Sequence, residues 1–164
     1  TRDALYGWTA QRMAAAQARS GVPSYLYYFD HGYPAADQAG LHAFHAAEIP
    51  YMFGTIYETT PSWPAIPRTP GEKALSDAMM SYWVSFARTG RPSAAGNPEW
   101  PQFGEAKRYI HFADQPVVAA DPLGDRYGLY EETVCRRRAE GAVPWNWNVG
   151  IAAPPMSPAT AQCR

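Results

Sequence analysis

At 164 residues, 46% of them apolar, and with a net charge of −1, the chain is long enough for one compact domain and too short for two ordinary ones. So near-neutral a balance leaves no electrostatic footprint for nucleic acid or an anionic membrane, and no run approaches the roughly 18 apolar residues that a spanning helix needs. An aromatic content of 14% with 16 prolines fits a loop-rich globular chain and argues against disorder, whose signature is few aromatics and high charge.

The chain opens at Thr1 without methionine and without a signal-peptide pattern, so it is expected to be a piece of something longer. Leu5 to Arg19 reads as a helix, with Thr9 as N-cap, an alanine-rich body and Ser20-Gly21 as the stop. Ser24 to Phe29, Ser-Tyr-Leu-Tyr-Tyr-Phe, is apolar on both faces and predicts a strand buried inside a sheet, broken by Asp30-His-Gly-Tyr-Pro34.

The segment Gly40-Leu-His-Ala-Phe-His-Ala-Ala-Glu-Ile-Pro-Tyr-Met-Phe-Gly54 gathers most of the chemistry. His42, His45 and Glu48 are spaced by three, which on a helical turn would put them on one face, with Ile49, Tyr51, Met52 and Phe53 as apolar anchors. A neutral imidazole there would serve as a general base, although a histidine beside an apolar run is more often a packed structural residue. Glu48, one turn from His45, reads as a residue that holds the histidine loop or its water in place. Asp30 is a weaker candidate for a catalytic acid.

From Gly54 to Pro70 four prolines interrupt any regular element and predict a surface loop. Thr69-Pro70-Gly71-Glu72 then has the capping-box form, Leu75, Met79, Tyr82, Trp83 and Phe86 recur at helical spacing as a core stripe, and Gly90 followed by Pro92 supplies the stop. Arg108–Ala113 and Pro116–Ala120 have strand character. Arg136-Arg137-Arg138, flanked by Glu131, Glu132 and Glu140, reads as a solvated face, and residues 152–160 as an irregular surface segment. Cys135 and Cys163 fit no metal or redox spacing. They are compatible with a disulfide, which would suit an exported enzyme, or with two free thiols.

His45, Glu48, Phe53 and Gly54 together resemble the catalytic-histidine segment of the type B carboxylesterases, the family of the cholinesterases and para-nitrobenzyl esterases. In that segment a histidine is followed three residues later by a glutamate and then by an apolar Phe-Gly ending. His42 lies outside the pattern. Tyr25 to His31 is similar to the family's strand at this point, Leu75 to Pro92 to the helix that follows, Trp100-Pro101 to its Trp-Pro, and the pair of strands to the small terminal strands. The resemblance covers about residues 5 to 120.

What the resemblance implies is an α/β class chain, the C-terminal portion of an α/β-hydrolase fold: the final sheet strands, the histidine loop and the C-terminal helices. Residues 1–164 would be the C-terminal segment of a single α/β-hydrolase domain whose N-terminal part carries the nucleophile and the acid. It implies a carboxylic ester hydrolase using a Ser-His-Glu/Asp triad, with His45 as base in acylation and acid toward the leaving alcohol. No cofactor is expected. The partners would be the N-terminal segment of the same protein and a small-molecule ester, and the location secreted or periplasmic. In keeping with the chain order serine, acid, histidine, there is no Gly-x-Ser-x-Gly, no Gly-Gly oxyanion motif, and neither Ser20 nor Ser93 sits between a strand and a helix. In the family Asp30 matches a position that is not catalytic. Two other readings stand beside this one: a metal site built from His42, His45 and Glu48 with His31, for which the His-Glu-x-x-His pattern is missing, and an esterase-fold adhesion or binding module that has lost catalysis.

Overall fold

The computed structural model describes residues 3–139, with side chains described as far as Arg136. The chain divides into two compact units, one formed by residues up to Ser24 together with those from Asp121 onward, the other by Tyr25–Ala120.

In the first unit a π-helical turn, Asp3–Gly7, runs directly into α1, Trp8–Arg19. Because the backbone is already helical at Gly7, no side-chain cap is made there. Thr9, expected as the cap, lies inside the helix, and its hydroxyl donates back to the Leu5 carbonyl at 2.6 Å, as mid-helix threonines do. The second helix, α5, spans Arg126–Ala139. Trp8, Leu123 and Val134 form the buried cluster of this unit, bordered by Tyr127 and Tyr130. The indole N–H of Trp8 donates to Glu131 at 2.8 Å, so its one polar atom is satisfied. Arg136 departs from the expected solvated face: it is half-buried and pairs with Glu132 one turn earlier. The side chains of Arg137 and Arg138, and all of residues 152–160, lie outside the described residues.

The second unit is a three-stranded mixed sheet with helices. β1, Tyr27–Phe29, pairs in parallel with β2, Arg108–Phe112, which pairs antiparallel with β3, Pro116–Ala120. Tyr27 faces Ile110 and Phe29 faces Phe112 in the first pair, and Arg108 faces Ala120 in the second. β1 is shorter and less buried than the expected Ser24–Phe29 strand, because it stands at the edge of this sheet while β2 takes the centre. Its ladder nevertheless extends at both ends, through Ile110 N–H to Leu26 O at 3.1 Å and Asp30 N–H to Phe112 O at 2.8 Å. The Leu26 carbonyl accepts a second bond from the Trp100 indole at 3.0 Å. That bond fixes the Trp-Pro loop against the strand.

Between β1 and β2 run three helices: α2, Pro34–Gln38; α3, Ile49–Phe53; and α4, Pro70–Thr89. α2 was not expected from the sequence; Pro34 opens it at the position where a missing N–H costs nothing. α4 begins and ends as its sequence dictates. Thr69 accepts from the Glu72 N–H at 3.3 Å, and Gly90 turns into the left-handed region at φ 71°. Leu75, Met79 and Tyr82 bury their side chains with Tyr33, Tyr51, Trp100, Ile110 and Phe112, each such burial stabilising by about 1.5–3 kcal/mol. Phe86, at the end of the stripe, is exposed.

Candidate active site

The histidine segment is not helical at its start. His42 and Ala46 both have positive φ, 47° and 71°, so residues 42–48 form an irregular stretch and a turn, and α3 begins only at Ile49. The even spacing of His42, His45 and Glu48 therefore does not place them on one helical face. Phe44 is half-buried and meets the Trp63 ring edge-on at 5.0 Å, and Ala47 is buried, while His45 between them is exposed. The turn closes through Ala47 N–H to Phe44 O at 3.0 Å and Ile49 N–H to Ala46 O at 3.1 Å. With Phe44 and Ala47 held on either side of it, so short a turn keeps the His45 imidazole at the surface.

Glu48 occupies the cap position of α3 without a side-chain cap bond, and its carbonyl accepts from Met52 N–H at 3.0 Å. Its carboxylate is half-buried, and its negative charge, after burial itself, holds the Tyr27 phenol above the usual range. Of the four expected apolar anchors only two serve: Tyr51 is fully buried and Met52 half-buried, whereas Ile49 is 45% and Phe53 70% exposed. α3 is closed by Gly54 at φ 68°.

The other candidate groups have their own partners. His42 is exposed and its Nδ1 lies 2.8 Å from Asp37 Oδ1. Asp30 lies 3.6 Å from His111 Nε2. His31 is buried against Glu72, 2.9 Å from Nε2 to Oε2. The set proposed for a metal is therefore dispersed, and among the described residues no group of three or more histidine, cysteine or acidic side chains is placed to hold a metal ion.

Glu72 escapes a reading made on local pattern. Its side chain, expected to return to the cap of α4, is buried instead, and one oxygen, Oε2, accepts the Tyr51 hydroxyl at 2.6 Å as well as facing His31. Burial, then the bond to Glu72, raises the Tyr51 phenol well above its ordinary range, so it stays a neutral donor. The available signal was the stripe itself. Carried back from Leu75 by three residues, it puts Glu72 on the buried face.

These features sit in a chain whose residues 1–129 match the model of the carboxylesterase family. The chain belongs to the carboxylesterase family. Similar proteins include the acylcarnitine hydrolase of Rattus norvegicus, 35% identical over 142 residues, which are 84% of this chain and 24% of that protein. The cocaine esterase of Homo sapiens is 32% identical over 142 residues, with the same 84% and 24% coverage. Among solved structures, a carboxylesterase of Geobacillus stearothermophilus superposes with a TM-score of 0.58 at 34% identity, covering 73% of this chain and 24% of that one. A PNB esterase does so with a TM-score of 0.64 at 27% identity, covering 79% and 25%.

This carboxylesterase-family chain spans about a quarter of the length of the relatives it matches. Its mixed sheet and helices are part of the α/β-hydrolase fold of those esterases. Among the described residues of the carboxylesterase chain, no helix is long and apolar enough to cross a membrane. Cys135 lies on α5, and Cys163 lies outside the described residues.

Proposed function

We propose that this chain is the C-terminal segment of a single α/β-hydrolase domain in a secreted or periplasmic serine carboxylesterase, and that it supplies the triad histidine, His45. The preceding segment of the same protein supplies the serine and the acid, and a small-molecule ester is the substrate. The observation that carries this reading is the exposure of His45 on a turn whose flanking residues, Phe44 and Ala47, are held in place, within a chain of the carboxylesterase family.

In the reaction, the imidazole takes the proton of the serine hydroxyl as it attacks the ester carbonyl, then returns it to the departing alcohol. Water repeats the cycle on the acyl-enzyme. Glu48 acts through the turn and not as the triad acid: it stands at the cap position of α3, one turn from His45, and its carbonyl accepts from the Met52 N–H.

The test is a comparison of two neighbouring histidines in the complete protein. His45→Ala lowers ester turnover by about 10⁴-fold or more, the usual consequence of deleting one triad member. His42→Ala, which removes an exposed ring paired with Asp37, changes it little, and Glu48→Gln falls between. Equal losses at His42 and His45 would sink the assignment.

A further inference from the structure

We propose that Glu72 is a positioning residue for the histidine turn, acting through Tyr51. This rests on the reading of His45 as the catalytic base, and extends it to a residue of α4 bonded to Tyr51 on the helix that follows the turn.

Tyr51 is held by α4 at two points. Its hydroxyl donates to Glu72 Oε2 at 2.6 Å, and its carbonyl accepts from the Ser76 hydroxyl at 3.0 Å. Glu72 is itself fixed by His31, 2.9 Å away at the exit of β1. His31, Glu72, Ser76 and Tyr51 are all buried, so these bonds lie in a low-dielectric setting where each is stronger than in water. Glu72 Oε2 thus lies within hydrogen-bonding distance of both the Tyr51 hydroxyl and His31 Nε2, and the exposed Asp114 carboxylate lies 3.3 Å from Nδ1 of the same ring.

The route from Tyr51 to His45 is short and bonded throughout. α3 has five residues, too few to be stable on its own, so its position comes from what α4 holds. From α3 the chain passes through Met52 N–H to Glu48 O, Ile49 N–H to Ala46 O and Ala47 N–H to Phe44 O, which lock residues 44–52 together. A shift of Tyr51 therefore moves His45. Misplacing a catalytic group by about 1 Å costs on the order of 10²-fold in rate, so small freedom at Tyr51 has a large effect on turnover.

The experiment uses the complete protein with a p-nitrophenyl ester, well below the unfolding temperature. Tyr51→Phe keeps the ring and removes only the hydroxyl; Glu72→Gln keeps the shape and removes the charge. Both lower kcat by about 10- to 100-fold with KM changed less than about twofold, and neither lowers kcat further in a His45→Ala background. Hydrogen exchange supplies a readout independent of activity: the amides of Ala47, Ile49 and Met52 lose at least about tenfold in protection while those in the middle of α4 and in β2 keep theirs. An unchanged kcat, an equal loss in the His45→Ala background, or protection lost uniformly would overturn the proposal and leave Glu72 a residue of general stability. If His45→Ala alone leaves turnover intact, the general-base reading falls, and the exchange pattern still decides whether Glu72 positions the turn.

Discussion

A Cβ placed on Gly54 would stand 2.6 Å from the sulfur of Met80, so α3 ends against α4 and a side chain there would make the flexible end of Met80 move. Gly54 also sits at φ 68°, where an L-residue carries strain. Gly54→Ala is expected to lose about 1–2 kcal/mol, the cost of the left-handed conformation, with Met80 shifting to admit the methyl. Ala46 presents the opposite case: a residue with a Cβ at φ 71°, next to His45. Ala46→Gly relieves that strain and is expected to raise stability by about 0.5–1 kcal/mol, the remainder being lost to the greater freedom of glycine in the unfolded chain. Urea midpoints of the two variants check this. Midpoints shifted in the same direction would show that the two left-handed positions do not carry the strain assigned to them.

Alkaline pH tests the buried tyrosines. Burial pushes the Tyr82 phenol from 10.0 up to about 12, and its hydroxyl donates to the Pro98 carbonyl. A folded-state value above the unfolded one means the native chain keeps a proton that the unfolded chain releases. The stability this contributes is fully present below pH 10 and is lost as pH rises toward about 12, by roughly 2–3 kcal/mol at about 1.36 kcal/mol per unit. Tyr51, shifted up further, acts in the same direction and keeps part of the slope. Tyr82→Phe is expected to be less stable at pH 9, having lost its hydrogen bond, but to decline less steeply between pH 10 and 12. Parallel declines for native and variant protein would contradict this.

α4 is legible from sequence because its signals are local: Thr69 before Pro70, a stripe at helical spacing, and Gly90 at the stop. β2 and β3 are legible for a similar reason, each being a short β-forming run. The neighbour of β1 is not. An apolar run announces that a strand wants company, but its parallel partner stands at Ile110 opposite Tyr27, across three helices, and no local pattern encodes that register. The site divides in the same way. The His45 segment is recognisable by residue type and order, while the shape of its turn depends on positive φ at His42 and Ala46, which neither residue advertises as a glycine would. Glu72 is hidden more completely. Its local context makes it a capping residue, and its burial follows from Tyr51 and His31, 21 and 41 residues distant in the chain.

Cys135 is expected to be joined to Cys163. By the loop-entropy account such a closure stabilises by about 3–4 kcal/mol, less any strain it introduces. Thiol titration of the denatured, unreduced protein should find no free thiol. Two free thiols would end the idea and remove the main argument for export.

The final prediction concerns the 164-residue chain by itself. β1 is an edge of the three-stranded sheet, hydrogen-bonded to β2 on one side, and among the described residues no strand pairs with its other side. Tyr27, 36% exposed, lies on this edge strand, beside a surface lined by Tyr25, Trp83, Phe86 and Trp100. An open edge next to aromatic surface invites association with whatever strand is available. The chain contains no Gly-x-Ser-x-Gly, and under the proposed reading its nucleophile comes from elsewhere in the protein. On the proposed reading the open edge and the absent motif have one remedy, a preceding segment whose strands would continue the sheet beyond β1 and carry the serine and the acid. Residues 1–164 purified alone are expected to self-associate and to show no p-nitrophenyl ester turnover above the uncatalysed rate, and co-expression with the upstream segment to restore both a defined oligomeric state and activity blocked by serine reagents. A monomeric isolated chain with serine-reagent-sensitive activity would place the nucleophile within these residues and make the chain a whole enzyme.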